Sequence, residues 1–236
     1  MATVKENLQT EEFWVNMGPQ HPSTHGVLYL ELKLSGETVV ECITHIGYLH
    51  RGMEKIAENR TYTQFIPFTD RLDYIAAMNN NLAYVLAVEK LMKVEISDRA
   101  KYIRVIIAEL QRVASHLVGI TTFVQDLGAF ATPLFYGFRE REKIVELFDD
   151  ICGNRLTYNY MRIGGVQFDL PKGADGKIKD IVKYIRPKID DLESLFSSNA
   201  IFTARTKGVG TLSKEKAINY SVTGPNLRAS GVKWDL

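Results

Sequence analysis

Cysteine is scarce in this sequence: Cys42 and Cys152 stand far apart and outside any C-x-x-C pair. Two isolated thiols support neither a disulfide framework nor a cysteine-based zinc or iron–sulfur site, and they fit a reducing compartment. Charge of one sign is equally scarce. Lysine and arginine number 29 against 28 aspartates and glutamates, a formal charge of +1. No overall field steers nucleic acid or anionic lipid to the chain, so nucleic-acid binding is not expected. Long apolar runs are missing too. The nearest, YIAAMNNNLAYVLAV over 74–88, contains three asparagines and falls short of the roughly 18–20 residues a spanning helix needs. No transmembrane segment is expected, although the chain can lie against a membrane. The opening MATVKENLQTEEF carries acidic residues and no apolar stretch, unlike a secretory or transit signal, and makes cytosolic residence the expectation.

What is present is enough apolar material for a core. Of 236 residues, 45% are hydrophobic and 24% charged, which suits one large or two small globular domains. VLYLELKLSGETVVECITHIGY over 27–48 alternates apolar and polar on both sides of Ser35-Gly36-Glu37 and predicts a two-stranded hairpin. From Met53 the period lengthens. Residues 70–92 and 97–128 repeat apolar side chains every three or four positions, as in Ile106, Leu110, Val113, Leu117 and Ile120, and predict long helices. Ser97 is a candidate N-cap for the second, and LGAFATP ends it with glycine and then proline. A third helix is expected from about Pro133 through Gly153. RIGGVQFDLPKGADGK reads as loops, and helical spacing resumes over 179–199 despite Pro187.

The predicted fold class is therefore α+β, a small N-terminal antiparallel β-sheet followed by a mainly helical bundle body. The expected organisation is a flexible segment over 1–12, a β region over 13–52 holding a histidine loop, and a helical body over 53–200. Over 201–236 a C-terminal region begins that looks truncated, since GPNLRASGVKWDL carries no helix stop or polar tail after Trp234.

Several clusters are candidates for chemistry. His21 and His25 lie four apart in NMGPQHPSTHG, with His45 and His50 further on. A shared metal needs that spacing on a helix, and Pro22 with Gly18, Pro19 and Gly26 argues against one, so no metal site is expected. KGVGTLSK over 207–214 lacks the spacing of a phosphate loop and reads as a turn. His116 falls within the apolar repeat of its helix, where a packed, hydrogen-bonded histidine is the usual case. Arg51, Lys55, Arg60 and Arg71, taken by composition, form an ordinary solvated face.

The histidine loop, HIGYLHRGMEK (45–55), DRLDY (70–74), LAVEK (86–90), FREREKI (138–144), RIGGVQFDLP (162–171) and LRASGVKWDL (227–236) occur in this order. Together they resemble the 49-kDa-type (D-type) subunit of proton-pumping NADH:quinone oxidoreductase, respiratory complex I. The likeness runs from about Phe13 to the last residue, and the family continues well beyond a WDL of this kind. That family is related to the large subunits of nickel–iron hydrogenases, so the resemblance implies a hydrogenase-large-subunit-like body. Asp73 and Ala76 of RLDYIA stand where the first cysteine pair of a hydrogenase would be, and two cysteines cannot supply four thiolates to nickel.

The resemblance further implies that a quinone headgroup occupies the vacated pocket, between His25 and Tyr74, with Asp126 of VQDLG bonding His25. His21 would bond within its own loop. A phenol and an imidazole beside the carbonyl oxygens can both deliver the protons that two-electron reduction of a quinone demands. Electrons would come from a terminal [4Fe–4S] cluster in a neighbouring subunit, with Arg51 and Arg71 near it and tuning its potential. NAD and the clusters would sit in partner subunits. The implied partners are that cluster-bearing subunit, the 30-kDa-type (C-type) subunit and the membrane-arm subunits, on the cytoplasmic face of a bacterial inner membrane. One departure stands out: where many relatives carry a histidine near the cluster, GNRLTYNYMRIGG has Thr157, which shifts the expectation toward a lower-potential quinone such as menaquinone. Two alternatives share these residues, a homologous subunit of a ferredoxin-fed or other membrane-bound oxidoreductase, and a non-catalytic structural fragment.

Overall fold

The computed structural model of the chain describes residues 11–128 and 132–234. Most of the segment expected to be flexible lies outside the described residues, as do 129–131 within the expected helix stop; the helix itself ends at Asp126, just before the Gly128 of that stop. The chain divides into two compact units, the first running to Phe68 and the second from Thr69. An α+β architecture is present, a three-stranded sheet followed by a mainly helical body.

The first unit opens with strands β1 (Glu12–Met17), β2 (Tyr29–Ser35) and β3 (Thr38–His45), an antiparallel meander in that order. The predicted hairpin is β2–β3, turned at Gly36, whose φ of 62° is a conformation glycine adopts without cost. A third strand, β1, joins them in register from Glu12↔Ser35 to Met17↔Leu30, so Glu12 belongs to the sheet and not to a flexible leader. EFWVNM is too short for its alternation to stand out beside the Pro/Gly-rich loop that follows. Two short helices, α1 (Met53–Glu58) and α2 (Tyr62–Thr69), close the unit.

The second unit is built on α3 (Ala77–Met92), α4 (Asp98–Asp126), α5 (Thr132–Cys152) and α6 (Ala174–Phe196). Ser97 caps α4 as expected, its Oγ accepting the Ala100 N–H at 3.3 Å. The buried stripe of α4 runs through Ile103, Ile107, Leu110, Ala114, Leu117 and Val124. It packs with Val85 of α3 and with Ile144, Leu147 and Phe148 of α5 in one core. Each fully buried aliphatic side chain there contributes about 1.5–3 kcal/mol. Ile120, expected in this stripe, is instead exposed. At 3.6 residues per turn a register of 110, 114, 117, 121 and 124 turns position 120 away, and Thr121 takes the inner place.

Three further features depart from expectation. Helix α3 begins at Ala77, because Tyr74–Ala76 form a 3₁₀ turn preceded by extended Asp73. The glycines of RIGGV make a small hairpin, β4 (Met161–Arg162) paired with β5 (Gly165–Val166), where only a loop was expected. Helix α6 starts at Ala174, earlier than its periodicity indicated, and carries Pro187 within it. The short helices α7 (Ala200–Thr206), α8 (Lys214–Asn219) and α9 (Gly224–Ala229) follow. Among the described residues no helix is long and apolar enough to cross a membrane.

Candidate functional site

The histidine loop is a compact, self-bonded turn. Thr24, buried at its centre, donates its hydroxyl to the carbonyls of Pro19 (2.9 Å) and His21 (2.8 Å) and accepts through its own carbonyl the N–H groups of Val27 and Leu28. His21 Nδ1 accepts the Ser23 N–H at 3.1 Å and caps the 3₁₀ turn Pro22–Thr24. This is the in-loop role expected of His21. Gly18 is obligatory here, since a Cβ on it would lie 1.9 Å from the Leu28 carbonyl oxygen. The loop ends in His25, left-handed at φ 53° and exposed. Of the other histidines considered as ligands, His45 stacks on Tyr29 at 4.5 Å and meets Glu31 at 3.3 Å. Among the described residues no three His, Cys, Asp or Glu side chains are placed to hold a metal ion.

In the second unit, the turn that carries Arg71 and Tyr74 is pinned from below. Gln111 of α4 donates its amide to the Ile75 carbonyl at 2.7 Å, and Asn80 of α3 donates to the Asp73 carbonyl at 3.0 Å. Both bonds hold backbone and leave the Tyr74 ring outside, 55% exposed. Asp73 and Ala76 are thus turn-forming residues of this segment.

Asp70 lies beneath the same turn with no exposed surface. Its Oδ2 accepts the Asn159 N–H at 3.0 Å and sits 3.9 Å from the Arg71 guanidinium. Burial pushes its carboxyl up to about 6, against the opposing pull of the Asn159 N–H, Arg71, Asn81 and Arg162. Through Asp70 the loop holding Thr157 is tied to the segment holding Arg71. Thr157 and Asn159 both have positive φ, 51° and 49°. The hairpin beyond them is clasped by a buried ion pair: Glu89 of α3 bonds Arg104 of α4, Arg104 donates to the Gly165 and Arg162 carbonyls, and Glu89 accepts the Gly164 N–H.

Asp126, the last residue of α4, is exposed at that helix's C-terminus. His25 and Arg51 belong to the first unit, and Arg71, Tyr74 and Asp126 to the second. His116 is exposed on α4 rather than packed, where it borders a groove of about 360 Å³ between α4 and α6. Cys152 is a poor nucleophile, its thiol pushed up to about 11 chiefly by burial. KGVGTLSK is a turn, as expected, ending near Ser213, which caps α8. Sequence reasoning passed over Asp70, Asn80, Gln111, Glu89 and Arg104. The cue for the last two was charge at positions within otherwise apolar helical repeats.

The ordered blocks include the self-bonded histidine loop and the pinned turn at Tyr74, with others on α3, α5, the β4–β5 hairpin and α9. The family described as respiratory-chain NADH dehydrogenase, 49 Kd subunit, matches residues 126–236. The chain is 58% identical over 229 residues to the D-type subunit of NADH-quinone oxidoreductase from Dehalococcoides mccartyi, 56% to that of Desulforamulus reducens and 54% to that of Bacillus mycoides. Each alignment covers 97% of this chain and 62% of the relative. The chain is thus similar to these D-type subunits along nearly all of its own length, and it spans about 62% of the length of the curated relatives it matches.

Proposed function

We propose that this chain supplies His25, Tyr74 and Asp126 to the quinone-reduction site of a membrane-associated NADH:quinone oxidoreductase of the complex I type, coupled to proton translocation. The single observation that carries this is the pinned turn at Tyr74. Two amide side chains hold its backbone while the phenol stays outside, the arrangement a proton donor needs to meet a bound carbonyl oxygen repeatedly in one geometry.

In the proposed step a quinone takes two electrons and two protons and becomes a quinol. Tyr74 and His25 each deliver one proton to a quinone oxygen, and Asp126 orients the imidazole and stabilises its charged form. The electrons come from a [4Fe–4S] cluster of a partner subunit, because two cysteines here cannot bind one. Arg51 and Arg71 lie toward that cluster and favour its reduced state. Thr157 adds no titrating group beside it, which favours a lower-potential quinone. The 30-kDa-type subunit and the membrane arm complete the assembly, and the chain sits peripherally on the cytoplasmic face of the membrane.

The test is Tyr74→Phe in the assembled complex, which removes one donor and keeps the ring. Quinone turnover falls about 100-fold or more, the range of a lost general acid, while reduction of the cluster by NADH is retained. Unchanged quinone kinetics sink the assignment. For the pair, His25→Ala combined with Asp126→Asn is little worse than His25→Ala alone if the two act as one unit. Losses that add in the logarithm of the rate overturn the pairing.

A further inference from the structure

The end of α4 is held by a residue far along the chain. Helix α4 closes at Asp126, and its last turn, Phe123–Asp126, holds no basic side chain. An anionic residue in that place opposes the helix dipole, whose C-terminal end is negative, and the final carbonyls lack intrahelical donors. Within the segment, Leu127 N–H bonds the Phe123 carbonyl at 3.1 Å and Gly128 N–H the Gln125 carbonyl at 2.8 Å. A cation reaches this end from α7. Arg205 donates Nη1 to the Leu127 carbonyl.

Two features accompany this contact. Gly128 has φ 89°, and a Cβ there would lie 2.1 Å from Arg205 Nη1, so the bare backbone makes the room the guanidinium uses. Helix α7 is also anchored at its own start. Asn199 Oδ1 accepts the Ile201 and Phe202 N–H groups at 2.9 and 3.2 Å, and the Phe202 ring packs edge-on against Phe196 of α6 at 5.8 Å.

We propose that Arg205 is a positioning residue for Asp126: its guanidinium caps the C-terminus of α4, offsets the charge conflict there and fixes the helix turn from which the Asp126 carboxylate projects. This rests on the reading of Asp126 as a quinone-site residue. Arg205→Gln removes the charge and the fork while keeping most of the length, and the last turn of α4 then frays. Arg205→Lys restores the charge and, in part, the function.

Two measurements separate the inference from the reading beneath it. Hydrogen exchange on the full chain reports the cap alone: the Leu127 and Gly128 amides exchange several-fold to about tenfold faster in Arg205→Gln, with Lys intermediate, as expected for a lost terminal charge interaction. Unchanged exchange overturns the cap whatever Asp126 does. Quinone turnover of the assembled complex reports the consequence: Arg205→Gln loses roughly tenfold, Lys recovers part of it, and the loss disappears in an Asp126→Asn background. An Arg205→Gln defect that persists undiminished beside Asp126→Asn overturns the positioning role. Normal turnover of Asp126→Asn itself overturns the quinone-site reading and, with it, the positioning role, leaving the exchange result to judge the cap.

Discussion

Arg104 and Glu89 meet as a two-pronged ion pair in the core of the second unit, Nη1 to Oε2 at 2.8 Å and Nη2 to Oε1 at 2.6 Å. Arg104 is 2% exposed and Glu89 5%. Nε and Nη2 of the guanidinium also donate to the Gly165 and Arg162 carbonyls, so each charge of the pair is compensated by the other and by further hydrogen bonds. A buried pair of this kind is weak evidence of net stabilisation, but breaking it is costly.

Arg104→Leu therefore leaves the Glu89 carboxylate buried without its partner and frees the β4–β5 hairpin. A loss of about 3–5 kcal/mol is expected, measured as unfolding free energy in denaturant, and a loss under about 1 kcal/mol sinks the assignment. The hydrogen bond from Arg104 holds Glu89 below its ordinary value of 4.5. The pair's contribution is thus fully present above that pH and is lost as pH falls below it.

Asp70 runs the other way. Its folded-state value of about 6 lies above the ordinary 3.8, so the folded chain binds this proton more tightly than the unfolded one. Its contribution is best below about pH 4 and declines as pH rises through 6. Asp70→Asn removes that slope while keeping an acceptor for the Asn159 N–H. The variant is expected to gain on the wild type by an amount on the order of 2 kcal/mol between pH 4 and pH 7. Parallel pH–stability curves for the two proteins contradict the prediction.

Gly137 lets α5 approach α4. A Cβ at this position would stand 2.5 Å from the Leu117 carbonyl oxygen and 2.6 Å from Thr121 Oγ1. Gly137→Ala gains helix propensity yet must push the two helices apart, so a net loss of about 1–3 kcal/mol is expected. A variant that melts at or above the wild-type temperature shows that the crossing can open freely.

Thr157 holds a β-branched side chain in the left-handed region, at φ 51°, where Asn and His are accommodated more readily. Thr157→Asn is expected to raise the melting temperature, through about 0.5–1 kcal/mol of relieved strain. A lower melting temperature means that the threonine side chain makes a contact worth more than the strain.

The sequence by itself determined the elements and their class. Period-two alternation specified β2 and β3, because successive residues of a strand face opposite sides. Period 3.6 together with Ser97 specified α4 almost to the residue, because capping and a buried stripe are local properties. The ordered blocks also identified the family, which the relatives bear out. What only the tertiary structure decided are relations across long separations. The bond from Gln111 to the turn at Ile75, the tie of Asp70 to Asn159, and the reach of Arg205 to Leu127 join residues 36, 89 and 78 positions apart. No periodicity encodes such pairings, since each depends on which helix faces come together and at what height. The same cause explains the start of α3 at Ala77. Helical spacing extends back to residue 70, but a buried carboxylate and two amide bonds to backbone hold 70–76 in turns, and tertiary bonds of that kind outweigh the local preference for helix.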